Sequence, residues 1–145
     1  MLFRSLGLTY AGDVLANDVW YSADEILLNL NGYGNNRVYI DATSPETDLL
    51  RVTTSALSDE FHVGEEPGRP LTDIHGLLEL HGSIAFDPNE SNLLIVDDHD
   101  SAAGWQDIRI TDQKISGMGL AGVTYDYFRT VKVLPGTGKI GRAHV

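Results

Sequence analysis

Hydrophobic residues along this chain occur in short runs, and in most of these runs they alternate with polar residues. Alternation with a period of two is typical of β-strands that bury one face. Turn-forming residues such as Asn35-Asn36 and Thr43-Ser44-Pro45 separate the runs. The pattern therefore predicts an all-β fold. The predicted strands are Ile26–Leu30, Val38–Ile40, Leu49–Thr54, Glu60–Val63, Leu77–Leu80, Leu93–Val96, Ile108–Thr111 and Thr130–Leu134.

The chain also repeats part of its own sequence. Residues 19–34 (VWYSADEILLNLNGYG) align without a gap with residues 123–138 (VTYDYFRTVKVLPGTG). The shared positions are Val19/Val123, Tyr21/Tyr125, Leu30/Leu134, Gly32/Gly136 and Gly34/Gly138. Internal repetition indicates an array of similar units. We therefore expect residues 1–18 to be a partial repeat or linker, 19–122 one repeat unit, and 123–139 the truncated start of the next.

The two ends of the chain suggest that it is a fragment of a longer protein. The last six residues, 140–145, read IGRAHV, which is one reading frame of a common sequencing adapter. We expect this tail to be adapter-derived and to lie outside the natural fold. At the other end, MLFRSLGLTYAGD lacks the sustained apolar region of a signal peptide.

Composition narrows the range of partners and chemistries. The 145 residues contain 10 Lys and Arg against 21 Asp and Glu, a net charge of −11, which opposes binding to the phosphate backbone of nucleic acids. The chain has no cysteine, so disulfides and cysteine catalysis are excluded. No apolar run approaches the roughly 20 residues of a membrane-spanning helix. We expect neither nucleic acid nor a membrane span.

Five segments, taken in their order along the chain, resemble a known repeat. They are VWYSADEILLNLNGYGNNRVYI (19–40), LLRVTTSALSDEFHVG (49–64), LTDIHGLLELHG (71–82), NLLIVDDHDSA (92–102) and ISGMGLAGVTYDYFRTVKVLPGTG (115–138). The family is a repeat region of large bacterial cell-surface and secreted proteins that contains degenerate haemolysin-type (RTX-like) calcium nonapeptides. The resemblance implies an extracellular or cell-surface location and neighbouring repeats of the same chain as partners.

The architecture that this resemblance favours is a β-solenoid, or parallel β-helix-like repeat. Successive strands of a solenoid coil into rungs, and stacking of the rungs buries a continuous apolar column. A repeat of about 100 residues also suits a tandem array of immunoglobulin-like β-sandwiches, which is the alternative architecture.

The nonapeptide G-G-x-G-x-D-x-U-x would bind Ca²⁺ through its Asp, while the apolar U position enters the core. In residues 31–39 the Asp position is Asn36, in 54–62 it is Asp59, and near 92–96 it is Asn92. Phe61 occupies the U position of the second copy. Because only one carboxylate remains, the pattern favours a turn role for these residues, and we expect no obligatory cofactor.

If Ca²⁺ binds, the candidate ligands are Asn36, Asp59 and an acidic cluster of Asp97, Asp98 and Asp100. The cluster lacks the spacing of an EF-hand loop, and turn residues are the alternative interpretation.

The sequence favours a structural or adhesive repeat module without catalysis. One alternative is a carbohydrate-active β-helix, either lyase-like or sugar-binding, acting on extracellular polysaccharide or another surface ligand; the other is a Ca²⁺-folded RTX-type module. A lyase groove would bring acidic and basic residues together on one face, whereas a spacer would scatter them. Exposed Trp20, Tyr21, Trp105 and Tyr125 would suit sugar stacking, although aromatic residues in strands more often pack in the core.

Overall fold

The computed structural model of this chain consists almost entirely of β-strands. It describes residues 8–10, 24–30, 35–54, 58–64, 70–82, 91–100, 105, 107–137 and 143–144. The strands are β1 (Leu8–Tyr10), β2 (Glu25–Leu30), β3 (Arg37–Ile40), β4 (Leu49–Thr54), β5 (Glu60–Val63), β6 (Leu77–His81), β7 (Leu93–Asp97), β8 (Ile108–Ile110), β9 (Lys114–Ser116), β10 (Val123–Asp126), β11 (Thr130–Leu134) and β12 (Ala143–His144). A 3₁₀ turn at Leu71–Asp73 is the one helical segment of the described stretches. All eight predicted strands are present, each within one residue of its predicted bounds.

Strands β1 to β8 alternate between two sheets, and β9 and β10 stay in the same sheet as β8. The five-stranded sheet has the order β1-β3-β5-β7-β11, and the seven-stranded sheet has the order β12-β8-β9-β10-β6-β4-β2. Strands β3, β5, β7 and β11 pair in parallel, as do β2, β4, β6 and β10. We call the pairs β2/β3, β4/β5, β6/β7 and β10/β11 rungs 1 to 4. The immunoglobulin-like alternative is therefore wrong, because that sandwich is built from antiparallel sheets.

Short added strands extend both sheets beyond the rungs. Strand β1 pairs antiparallel with β3, and the antiparallel pair β8/β9 lies beside β10. Strand β12, which falls within the expected adapter-derived tail, pairs in parallel with β8. The hydrophobic pattern did not predict β1, β9, β10 or β12, since alternation is hard to recognise in strands of two to four residues.

The core lies between the two sheets and consists of apolar rows that run across the rungs. In the seven-stranded sheet the rows are Ile26–Leu50–Leu78–Val123 and Leu28–Val52–Leu80–Tyr125. In the five-stranded sheet they are Val38–Phe61–Leu94–Val131 and Ile40–Val63–Val96–Val133. Rungs 2 and 3 are fully buried at these positions. Burying one such side chain contributes roughly 1.5–3 kcal/mol, so this core is the main source of stability.

The repeat seen in the sequence does not coincide with the rungs. The alignment of residues 19–34 with 123–138 matches β2 to β11, yet β2 belongs to the seven-stranded sheet and β11 to the five-stranded sheet. The unit that recurs in space is one rung, and the four rungs begin at residues 25, 49, 77 and 123. The division of the chain at residue 123 stays a prediction, and β10, which begins there, pairs with β6 of the preceding rung.

Gly64 shows how tightly the chain turns where β5 ends. Its φ is +80°, and a Cβ at this position would lie 2.6 Å from the carbonyl oxygen of Asp97 in the next rung. Only glycine combines this left-handed conformation with so close a backbone contact.

The arrangement of the core predicts that truncating two leucines of the same sheet has very different effects on the free energy of unfolding. Leu80 is fully buried, whereas Leu27 is 61% exposed. We expect Leu80→Ala to lower the free energy of unfolding by about 3 kcal/mol, and Leu27→Ala by less than about 0.5 kcal/mol. Urea denaturation followed by circular dichroism measures both. Equal losses would contradict the arrangement of the rows.

Candidate functional site

Three buried polar residues stand at the same corner of successive rungs. Asn36, Asp59 and Asn92 directly precede β3, β5 and β7, and each is at most 3% exposed. These are the three residues that occupy the Asp position of the nonapeptide in the sequence. We call them the corner row.

Hydrogen bonds connect the corner row from rung to rung. The backbone N–H of Asn36 donates to Asp59 Oδ1 (2.9 Å), and the Asn36 side-chain amide donates to the same oxygen (2.8 Å). The backbone N–H of Asp59 then donates to Asn92 Oδ1 (2.9 Å). Each side chain thus satisfies a backbone donor of the preceding rung that would otherwise be buried without a partner.

Rung 4 ends this row with a backbone group in place of a side chain. The Asn92 amide donates to the carbonyl oxygen of Tyr127 (3.2 Å), and the backbone N–H groups of Arg129 and Thr130 both donate to the Asn92 carbonyl (3.1 Å). Tyr127 has a φ of 59°, which is uncommon for a bulky residue. This conformation accompanies the hydrogen bond that closes the row.

Asp59 is the imperfect member of the corner row. Its Oδ1 accepts two hydrogen bonds, but its Oδ2 is buried and has no hydrogen-bond partner among the described residues. Asn36 carries an amide nitrogen as its second side-chain atom, and that nitrogen donates to the next rung. A carboxylate oxygen cannot donate in this way, so Asp59 leaves one buried position unsatisfied.

The acidic cluster lies at the opposite end of β7. Asp97 Oδ1 accepts the backbone N–H of His99 (2.8 Å) and lies 2.6 Å from His99 Nδ1. Asp98 accepts a hydrogen bond from the indole N–H of Trp105, and its backbone N–H donates to Leu134 (2.8 Å). His99 Nε2 lies 3.2 Å from Asp100 Oδ1. These contacts are those of a turn that joins rungs 3 and 4.

The structure therefore divides the five calcium candidates into two groups. Asn36 and Asp59 meet at the corner row, while Asp97, Asp98 and Asp100 follow the far end of β7. The length of a five-residue strand, roughly 16 Å, separates the two places. In the part of the chain that the structure describes, no group of three or more His, Asp or Glu side chains could hold a metal ion. Calcium binding remains a prediction.

The outer face of the seven-stranded sheet brings charges of both signs together. Arg51 Nη2 lies 2.6 Å from Glu79 Oε2, which joins β4 to β6. His81 Nδ1 lies 2.8 Å from Asp126 Oδ1, which joins β6 to β10. Glu79 and His81 are two residues apart on β6, so both pairs share one surface. We call these four residues the polar face. The sequence pattern does not reveal it, because the members of its two pairs are 28 and 45 residues apart along the chain.

The outer face of the five-stranded sheet carries a smaller polar group. Arg37 Nε lies 3.0 Å from Glu60 Oε2, and His62 Nε2 lies 3.4 Å from the same oxygen. The ring of Tyr39 stacks on that of His62, with centroids 4.7 Å apart. The Arg37–Glu60 pair and the Tyr39–His62 stack also join one rung to the next.

Of the four aromatic residues considered for sugar stacking, Tyr125 is buried in the core and Trp105 is half-buried. The Tyr125 hydroxyl donates to the Thr111 carbonyl, and burial, followed by the negative charge of Asp112, raises the pKa of this phenol. Trp20 and Tyr21 lie outside the described residues.

The unsatisfied oxygen of Asp59 predicts an unusual response to mutation. Asp59→Asn keeps the acceptor and supplies an amide that can donate to Asn92, as Asn36 donates to Asp59. We expect the free energy of unfolding to rise by about 1 kcal/mol, whereas Asp59→Ala lowers it by about 2 kcal/mol. Denaturant unfolding in EDTA measures both. Destabilisation by Asp59→Asn that appears only when Ca²⁺ is added would instead identify Asp59 as a calcium ligand.

Burial of Tyr125 predicts a loss of stability at high pH. Because its pKa is raised in the folded state, the unfolded chain releases this proton first. The stabilisation is complete below the ordinary pKa of 10.0 and is lost as the pH rises through the higher folded value. Tyr125→Phe should therefore make the decline in unfolding free energy above about pH 10 less steep. Tyr127→Phe, at a residue that is 55% exposed, is the control and should keep the original slope.

Comparison with known proteins identifies no family for this chain: no family model, curated protein or solved structure matches it. Among the described residues, no helix has the length and apolar character needed to cross a bilayer. The resemblance to RTX-like repeats therefore stays a prediction.

Proposed function

We propose that this protein is a structural or adhesive repeat module of a secreted or cell-surface bacterial protein, and that its fold is a β-solenoid. The observation that carries the proposal is the parallel, in-register stacking of four rungs, in which each rung strand pairs with its counterpart in the adjacent rung. In such a stack each rung contacts only the adjacent rungs, and its stability is close to a sum of rung and interface contributions. Adding rungs therefore lengthens the stack without changing how each rung is held. This geometry suits a spacer.

The contacts between rungs support a passive mechanical role. The apolar rows and the corner row bind each rung to the next in the interior. On the surface, Arg37–Glu60 and Arg51–Glu79 also cross from rung to rung. Exposed ion pairs contribute little, typically 0–1 kcal/mol, so the interior provides most of the cohesion. The excess of acidic residues would keep an extended array soluble.

Hydrogen exchange of the full chain tests this role. A stack of rungs predicts that β4 to β7 exchange slowly and that β2 and β11, the outermost rung strands, exchange fastest. We expect the same gradient in EDTA and in millimolar Ca²⁺. Uniformly fast exchange in both conditions would contradict the stack. Protection from exchange that appears only with Ca²⁺ would support the alternative of a Ca²⁺-folded RTX-type module. The Asp59 Oδ2 atom, which has no hydrogen-bond partner among the described residues, favours keeping this alternative.

The polar face favours a second candidate, a carbohydrate-active or sugar-binding β-helix. Arg51, Glu79, His81 and Asp126 gather acidic, basic and imidazole groups on one surface, as a lyase groove requires. In this protein, however, the four groups pair with one another, so the atoms that a substrate would contact are already engaged. We therefore rank this candidate second.

Binding to polysaccharide separates the two candidates. Incubation with acidic and neutral polysaccharides, followed by assays for unsaturated products and for retention, would detect lyase activity or binding. The Arg51→Ala/His81→Ala double variant should abolish either one, while Arg37→Ala on the other sheet is the control. For a structural module we expect no product with any variant.

A further inference from the structure

The two outermost strands of the rung stack, β2 and β11, carry opposite charge. Strand β2 begins with Glu25, directly after Asp24, and residues 24–30 contain no Lys or Arg. Strand β11 contains Lys132 and directly follows Arg129, and residues 127–137 contain no Asp or Glu. Asp24, Glu25, Arg129 and Lys132 are all exposed. In a chain with a net charge of −11, a cationic end is a distinct feature.

Both ends also leave part of the apolar column uncovered. Strands β2 and β11 are outermost in their respective sheets. The inward residues Leu28 of β2 and Val131 and Val133 of β11 are only half-buried, whereas their counterparts in rungs 2 and 3 are fully buried. Exposed Leu27 and Leu134 add apolar surface to the same strands. An outermost strand with apolar neighbours is a ready template for pairing with another chain.

Lys132 and Glu25 stand on these two edges. Within the molecule, Arg37 pairs with Glu60 of the adjacent rung, and Arg51 pairs with Glu79 of the adjacent rung. Among the described residues, neither Lys132 nor Glu25 has such a partner. The cation at one end and the carboxylate at the other are therefore available to each other between molecules.

We infer that this protein binds a second copy of itself end to end, with the β11 edge of one copy on the β2 edge of the next. A two-fold contact of two β11 edges would bring Lys132 near Lys132, which like-charge repulsion disfavours, and a two-fold contact of two β2 edges would join strands that both carry negative charge. Contact of unlike edges is heterologous and leaves a free end on each copy, so it generates open linear assemblies. This inference deepens the proposed structural role, on which it rests, by naming the partner.

Sedimentation velocity of the full chain at two salt concentrations tests the contact. Because exposed charges are screened at high ionic strength, we expect assemblies that grow with protein concentration in about 20 mM NaCl and monomers in about 500 mM NaCl. Lys132→Glu and Glu25→Lys should each raise the concentration needed for half-association by about tenfold or more. An equimolar mixture of the two variants should recover association, because each then presents the charge that the other lacks.

Two controls keep the outcome specific. Lys114→Glu changes the net charge as Lys132→Glu does but lies on β9, and it should leave association unchanged. Far-UV circular dichroism of every variant separates loss of contact from loss of fold. A folded monomer at low salt would overturn the end-to-end contact and leave the structural role intact. Association that neither salt nor the charge variants alter would overturn it as well, as general strand-edge aggregation.

Discussion

In-register burial of apolar rows between two parallel sheets is the interaction on which the remaining features of this protein depend. Each rung has one hydrophobic face per strand and cannot cover it alone, so it needs both the facing strand and the rungs on either side. Phe61 and Leu80, in the middle rungs, are fully buried for this reason, while Val131 at the last rung is not. The stack thus becomes most stable in its centre and weakest at its ends.

Parallel stacking also requires the chain to cross repeatedly between the sheets, and the crossings that end at Asn36 and Asp59 take the backbone N–H groups of these residues out of water. The corner row resolves this at one set of crossings by repeating a side chain with an acceptor oxygen. Asn serves this purpose fully, since its amide can donate as well as accept. Asp59 serves this purpose only in part, because its Oδ2 is buried without a hydrogen-bond partner among the described residues. A structural role leaves this oxygen unsatisfied, whereas a calcium-binding role would use it as a ligand.

The surface is organised by the same geometry. Strands that stack in register place equivalent outward residues in rows about 4.8 Å apart, so charges from distant parts of the chain become neighbours. This produces the polar face and the ion pairs between rungs. It also leaves Glu25 and Lys132, on the outermost strands of the stack, without a partner of opposite charge among the described residues. The proposed structural role and the proposed end-to-end contact both rest on this one arrangement.

The sequence by itself determined most of the strands and their buried faces. Period-two alternation identified eight strands, and the repeat frame correctly placed Phe61 in the core and put Asn36, Asp59 and Asn92 at equivalent positions. It could not determine which strands are neighbours, because alternation reports the buried face of a strand and not its partner. The choice of strand partners, the separation of β2 and β11 into different sheets, and the meeting of Arg51 with Glu79 were decided only by the tertiary structure. Each of these depends on contacts between residues more than twenty positions apart, and a local pattern carries no information about such contacts.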